Sequence, residues 1–107
     1  MIDKIKIGYQ TYTFVVDPEL DGSDGECDVE KSVIRLHPDQ HGWRLVNTTI
    51  HETLHAVWDQ WVDPQVDDET QERIVAGIAN GLTAILADNP HIQVTRIVQD
   101  KPDAPPG

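Results

Sequence analysis

At 107 residues, with 38% hydrophobic and 25% charged side chains, the chain has material for one soluble domain around one core, which excludes a multidomain assembly. No apolar run reaches the about 20 residues a membrane-spanning helix needs, and MIDKIKIGYQ lacks the apolar stretch of a signal peptide, so the expected location is the cytoplasm. A net charge of −11 argues against direct binding of nucleic acid, whose phosphates such a surface repels, and the single Cys27 leaves no intrachain disulfide to form.

The N-terminal third reads as β-structure. Ile5, Ile7, Tyr9 and the run Tyr12-Thr13-Phe14-Val15-Val16 are β-branched or aromatic and partly alternate. Asp17-Pro18 ends that strand, and Asp21-Gly22-Ser23-Asp24-Gly25 has the residues of a turn or loop. Cys27 to Val29 and Val33 to Leu36 then read as a hairpin around Glu30-Lys31-Ser32. His37-Pro38-Asp39 closes the β section, with Asp39 as the expected helix cap.

A first helix is expected from about His41 to Trp61. Trp43, Val46, Ile50, Leu54, Val57 and Trp61 recur at threes and fours, the signature of a core-facing stripe. Asp63-Pro64 stops it. A second helix starts after Asp67 or Asp68, where Asp68 and Gln71 resemble a capping box, and ends at Asn89-Pro90. Ile74, Val75, Ile78, Leu82, Ile85 and Leu86 are its expected buried face. Ile92 to Val98 alternates weakly, as a short strand or an ordered tail, and KPDAPPG reads as disordered. The expected organisation is one α+β domain over residues 1–99 and a disordered tail over 100–107. A small antiparallel or mixed N-terminal sheet is followed by two main helices.

Within the first helix lies His51-Glu52-Thr53-Leu54-His55, an H-E-x-x-H pentad. Two histidines four apart share one helix face, so both imidazoles can reach a single metal ion. The glutamate between them falls where a zinc peptidase needs its general base. At about 100° per residue, His51 and His55 fall on the shoulder of the apolar stripe, bordered by core yet open to solvent.

Catalytic zinc takes three protein ligands. Glu72 is the expected third, because it lies at the border of the second helix's apolar face, whereas Glu69 lies almost opposite the core. Asp59 shares the face of His55 but lies one turn beyond, about 6 Å along the axis, which suits a hydrogen-bond partner of a histidine better than a ligand. Asp63, Asp68, Glu69 and Asp59 stay open as alternatives. The acids between Asp59 and Glu72 lack the alternating oxygen ligands and central glycine of a calcium loop. His37, His41 and His91 read as ordinary polar residues. Cys27 reads as a small buried hydrophobe, and the three tryptophans as packing residues, Trp58 being nearest the histidine face.

With His51-Glu52-Thr53-Leu54-His55-Ala56, then Glu72 on a second helix, then Asp88-Asn89-Pro90, the chain resembles the small zincin-like metallopeptidases of phages and prophages related to the ImmA/IrrE proteins. The resemblance runs from about Val33 to Pro90, and the pentad is its specific motif. It implies a minimal zincin-like core of gluzincin type, zinc held by His51, His55 and Glu72, and Glu52 as base. It also implies limited proteolysis, in some relatives of a transcriptional repressor. Ala76 stands where many gluzincins have an aspartate four residues after the ligand glutamate, and the chain has no helix-turn-helix region of its own.

The chemistry expected is metal-assisted peptide hydrolysis of a protein or peptide substrate. His37, His41, Tyr9, Tyr12 and Arg73 are the candidate oxyanion donors. The strand at Val33 to Leu36 is the expected site for an extended substrate to add to the sheet. The alternative is a non-catalytic module that keeps the zincin fold and binds another protein.

Overall fold

The computed structural model describes residues 3–62 and 65–92. Strands β1 (Lys4–Ile7), β2 (Gln10–Val16), β3 (Gly25–Asp28) and β4 (Val33–Leu36) precede helices α1 (Gly42–Trp61) and α2 (Asp68–Asp88), so the fold is α+β as expected. Strand order is β1-β2-β4-β3. The β1–β2 and β3–β4 pairs are antiparallel and β2–β4 is parallel, which makes the sheet mixed. Asp63, the tail over 100–107 and all but the first residue of the segment from Ile92 to Val98 lie outside the described residues.

Side chains alternate across a pleated sheet. Ile5, Ile7, Tyr12, Phe14, Cys27, Ile34 and Leu36 therefore share the inner face, where they form the core together with Leu45, Ala56 and Val57 of α1. The outer face carries Arg35, paired with Asp17, Glu26 and Asp28 at 3.6, 3.2 and 3.9 Å. At the β1–β2 turn Gly8 has φ +62, and a Cβ there would lie 1.7 Å from Gln60 Oε1. Gln60 fills that space from the end of α1. Its amide donates to the Ile7 carbonyl at 2.6 Å and to Gln10 Oε1 at 3.1 Å, tying helix to hairpin.

β4 is an interior strand, bonded to β2 on one side and β3 on the other. Strand addition at Val33 to Leu36 is thereby ruled out, because both its edges are already paired. The edge strand next to α1 is β3.

Both helices start where expected, but their caps differ. The residue capping α1 is His41, without a side-chain bond, and the Asp39 N–H is instead held by His37 Nδ1 at 3.1 Å. The residue capping α2 is Asp67, also without a side-chain bond, so no Asp68–Gln71 capping box forms. The buried sides differ too. The fully buried line of α1 is Thr48, Glu52 and Ala56, roughly 160° round the helix from the centre of the expected stripe. Val46, Ile50, Leu54 and Val57 are half-buried, while Trp43 and Trp61 are exposed.

α1 lies between the sheet and α2, and α2 packs on α1 with no comparable contact to any strand. One neighbour covers only a narrow strip. Val75, Ala79 and Thr83 are buried, whereas Ile74, Ile78, Leu82 and Ile85 are 39%, 46%, 42% and 51% exposed. Burying such side chains fully is worth about 1.5–3 kcal/mol each. The expected buried face of α2 is thus largely open, because no sheet lies beneath it.

Candidate metal centre

α1 and α2 meet at the pentad. Residues 51 and 55 lie one turn apart on α1, with ring centroids 5.0 Å apart, and Glu72 reaches across from the second turn of α2. Its carboxylate touches both histidines: Oε1 is 2.5 Å from His51 Nε2, and Oε2 is 3.0 Å from His55 Nε2. Among the described residues this is the group whose ligand atoms converge, all within 4.8 Å of one another. Glu69, Asp59 and Asp68 do not join it. Tetrahedral zinc, bonded at about 2.0–2.2 Å, spaces its ligand atoms roughly 3.4 Å apart, a separation this cluster reaches by small side-chain movements. Two neutral imidazoles and a carboxylate are also the donor set that suits zinc.

The three groups differ in solvation. The histidine side chains are 20% and 18% exposed and that of Glu72 is 57% exposed. Burial lowers the pKa of His55, against the opposing pull of Glu72 and with a further push from His51. That shift favours the neutral imidazole, the state in which nitrogen has a lone pair to give.

Its other nitrogen is held by a residue that sequence reasoning assigned elsewhere. The Gln71 side-chain amide nitrogen lies 3.0 Å from His55 Nδ1. Asp59, expected as that partner, lines the groove without making the bond. Gln71 precedes Glu72 by one residue, so the turn that delivers the acid also delivers the amide. Its glutamine identity looked like a capping signal, which hid this role.

Glu52 sits deeper. It belongs to the buried line of α1 facing the sheet and is 8% exposed. Above it Gly25 of β3 leaves room that a side chain would take. A Cβ there would lie 2.8 Å from Thr48 Cγ2 and 3.0 Å from Glu52 Cγ. Burial pushes the Glu52 carboxyl up to about 7; His51 opposes the rise, and Glu72 and Glu26 add to it.

These residues line one open groove of about 1160 Å³ between β3 and the two helices. Its walls carry Asp24, Glu26, Asp59 and Asp68, with Arg44 held by Asp24 at 2.6 Å. Trp58 also lines it. Cys27 reaches it from the inner face of β3, with its thiol pushed up to about 12, chiefly by burial and then by Glu52 and Asp59.

No family model, curated protein or solved structure matches the chain. None of the five expected oxyanion donors, His37, His41, Tyr9, Tyr12 and Arg73, lines the groove. Tyr12 is wholly buried in the core with its hydroxyl unpartnered, and its pKa is raised to about 12, chiefly by burial.

Proposed function

We propose that the protein is a zinc-dependent metallopeptidase, with His51, His55 and Glu72 as the metal ligands and Glu52 as the general base. The observation that carries this reading is the reach of Glu72 from α2 to both pentad histidines, in the groove that Glu52 lines. When bound, zinc supplies a positive charge that makes water acidic enough to lose a proton near pH ~7 and polarises a substrate carbonyl. Glu52 takes the proton as the water oxygen joins the carbonyl carbon. It then returns the proton to the amide nitrogen as the carbon–nitrogen bond breaks. Burial raises the basicity of Glu52 above that of an ordinary carboxylate, which suits the first step.

β3, the edge strand along the groove, is where an extended peptide would add its backbone bonds. The acids on the walls favour basic over acidic substrate side chains. The substrate in this reading is a protein or peptide, a regulatory protein by the phage-type resemblance, met in the cytoplasm. Among the described residues, no helix is long and apolar enough to cross a membrane.

The zinc-loaded protein should cleave casein or a basic peptide pool. Chelator should stop the cleavage, and Glu52→Gln should lower the rate by at least about 10²-fold while the metal stays bound. Cleavage that survives Glu52→Gln removes Glu52 as base. A zinc-binding protein that cleaves nothing is the alternative, a non-catalytic zincin-fold binding module. The lack of any expected oxyanion donor along the groove favours that second reading.

A further inference from the structure

α2 is anchored more thinly than the elements beneath it. It rests on α1, and none of its residues joins the hydrophobic core between α1 and the sheet. The strip it buries there consists of one valine, one alanine and one threonine, Val75, Ala79 and Thr83. Its sequence adds little stability of its own. Gly77 and Gly81 stand in its interior, where each costs stability relative to alanine. A Cβ on either would meet nothing within 4 Å, so no close approach within the described chain requires them. Asp67, its capping residue, makes no side-chain bond. A helix in a protein owes most of its stability to the packing of one face, and α2 packs by a narrow one.

The side of α1 that α2 meets is polar. Asn47, His51 and His55 recur four apart, and each bonds across the gap. Asn47 Nδ2 donates to Asn80 Oδ1 at 2.8 Å, both histidines meet the Glu72 carboxylate, and the Gln71 amide meets His55. Among the described residues these are the side-chain bonds between the helices, and all but the first lie at the metal centre. Such bonds are exchanged for bonds to water when helices part, so their net contribution is modest. A cation shared by His51, His55 and Glu72 differs, because it must give up a ligand before α2 can leave.

We propose that α2 is latched by the metal. Without it, α2 undocks and unwinds as a unit while the sheet and α1 stay folded; a cation joining His51 and His55 to Glu72 holds it down. Asp68, Gln71 and Glu72 line the groove from α2, so metal supply also decides whether the groove keeps that wall. The inference rests on the ligand set proposed above and not on cleavage, so it applies to a peptidase and to a binding module alike.

Amide hydrogen exchange of the full chain, with zinc buffered over a series of free concentrations, tests it. In the metal-free protein the amides of Asp68–Asp88 should be at least about tenfold less protected than those of β4 and of the sheet-facing side of α1. Above the dissociation constant, protection of α2 should rise about tenfold for each tenfold rise in free zinc, and Glu72→Ala should abolish that rise. Gly77→Ala combined with Gly81→Ala should raise the metal-free protection of α2 about tenfold or more and leave β4 unchanged. Metal-free α2 amides as protected as those of β4 would overturn the latch. So would about one zinc bound per chain with α2 exchange unaltered; either result leaves the ligand set standing. A chain that binds no zinc, which elemental analysis of the same samples reports, would remove the ligand set and the latch together.

Discussion

Glu52 is asked to be buried and charged at once, and burial wins part of that contest by raising its pKa to about 7. The metal-free folded protein thus holds this proton more tightly than the unfolded chain, where the group returns to about 4.5. The stabilising contribution is complete below the unfolded value and is lost as pH rises through the folded one. Between those limits metal-free wild type should lose stability relative to Glu52→Gln, by up to about 3 kcal/mol, in urea unfolding at a series of pH values. A bound cation should shrink the difference, because it favours the carboxylate. A flat difference without metal would mean that Glu52 is not buried as described. Gln71 makes a second prediction. For His55 Nε2 to give its lone pair, Nδ1 must carry the proton, and a half-turn of the Gln71 amide supplies an acceptor. Gln71→Leu should weaken zinc binding about 10–100-fold in chelator competition, while Asp59→Asn should leave it unchanged. The opposite order would return the orienting role to Asp59.

At the scale of elements, β3 and α1 are fitted to one another through Gly25. An alanine there would push on Thr48, Glu52 and the Arg35 carbonyl, the last at 3.2 Å and unable to swing aside. Gly25→Ala should cost about 1–3 kcal/mol in denaturant unfolding, and cleavage should fall further than stability alone explains. An alanine variant of wild-type stability and rate would contradict that fit. The β-rich N-terminal run, the β3–β4 hairpin, both helices and the pentad were legible in the residues as local patterns of alternation, helical spacing or turn chemistry, whereas the turn at Gly8 and Tyr9 that divides the run into β1 and β2 was not. The caps were not, since His41 and Asp67 bond through no side chain and leave no signal. Nor was the buried line of α1, where Thr48 and Glu52 are polar and only their neighbours make them interior.

At the scale of the whole molecule, the layering of sheet, α1 and α2 explains both the site and the misread faces. The parallel pairing of β2 with β4 brings together segments far apart in sequence, and no local pattern announces it. That pairing puts β4 inside the sheet and β3 at the groove, so the edge that borders the groove could not be read from strand order along the chain. Glu72 rather than Glu69 meets the two histidines, as helix phase led one to expect, although the apolar face that set that phase is largely open. The most direct test of the account is elemental analysis of the purified protein after zinc is supplied, with His55→Ala, Glu72→Ala and Glu69→Ala beside wild type. About one zinc per chain is expected in wild type and Glu69→Ala, and little in the other two. Zinc retained in Glu72→Ala, or none in the wild type, would contradict a metal centre built from His51, His55 and Glu72.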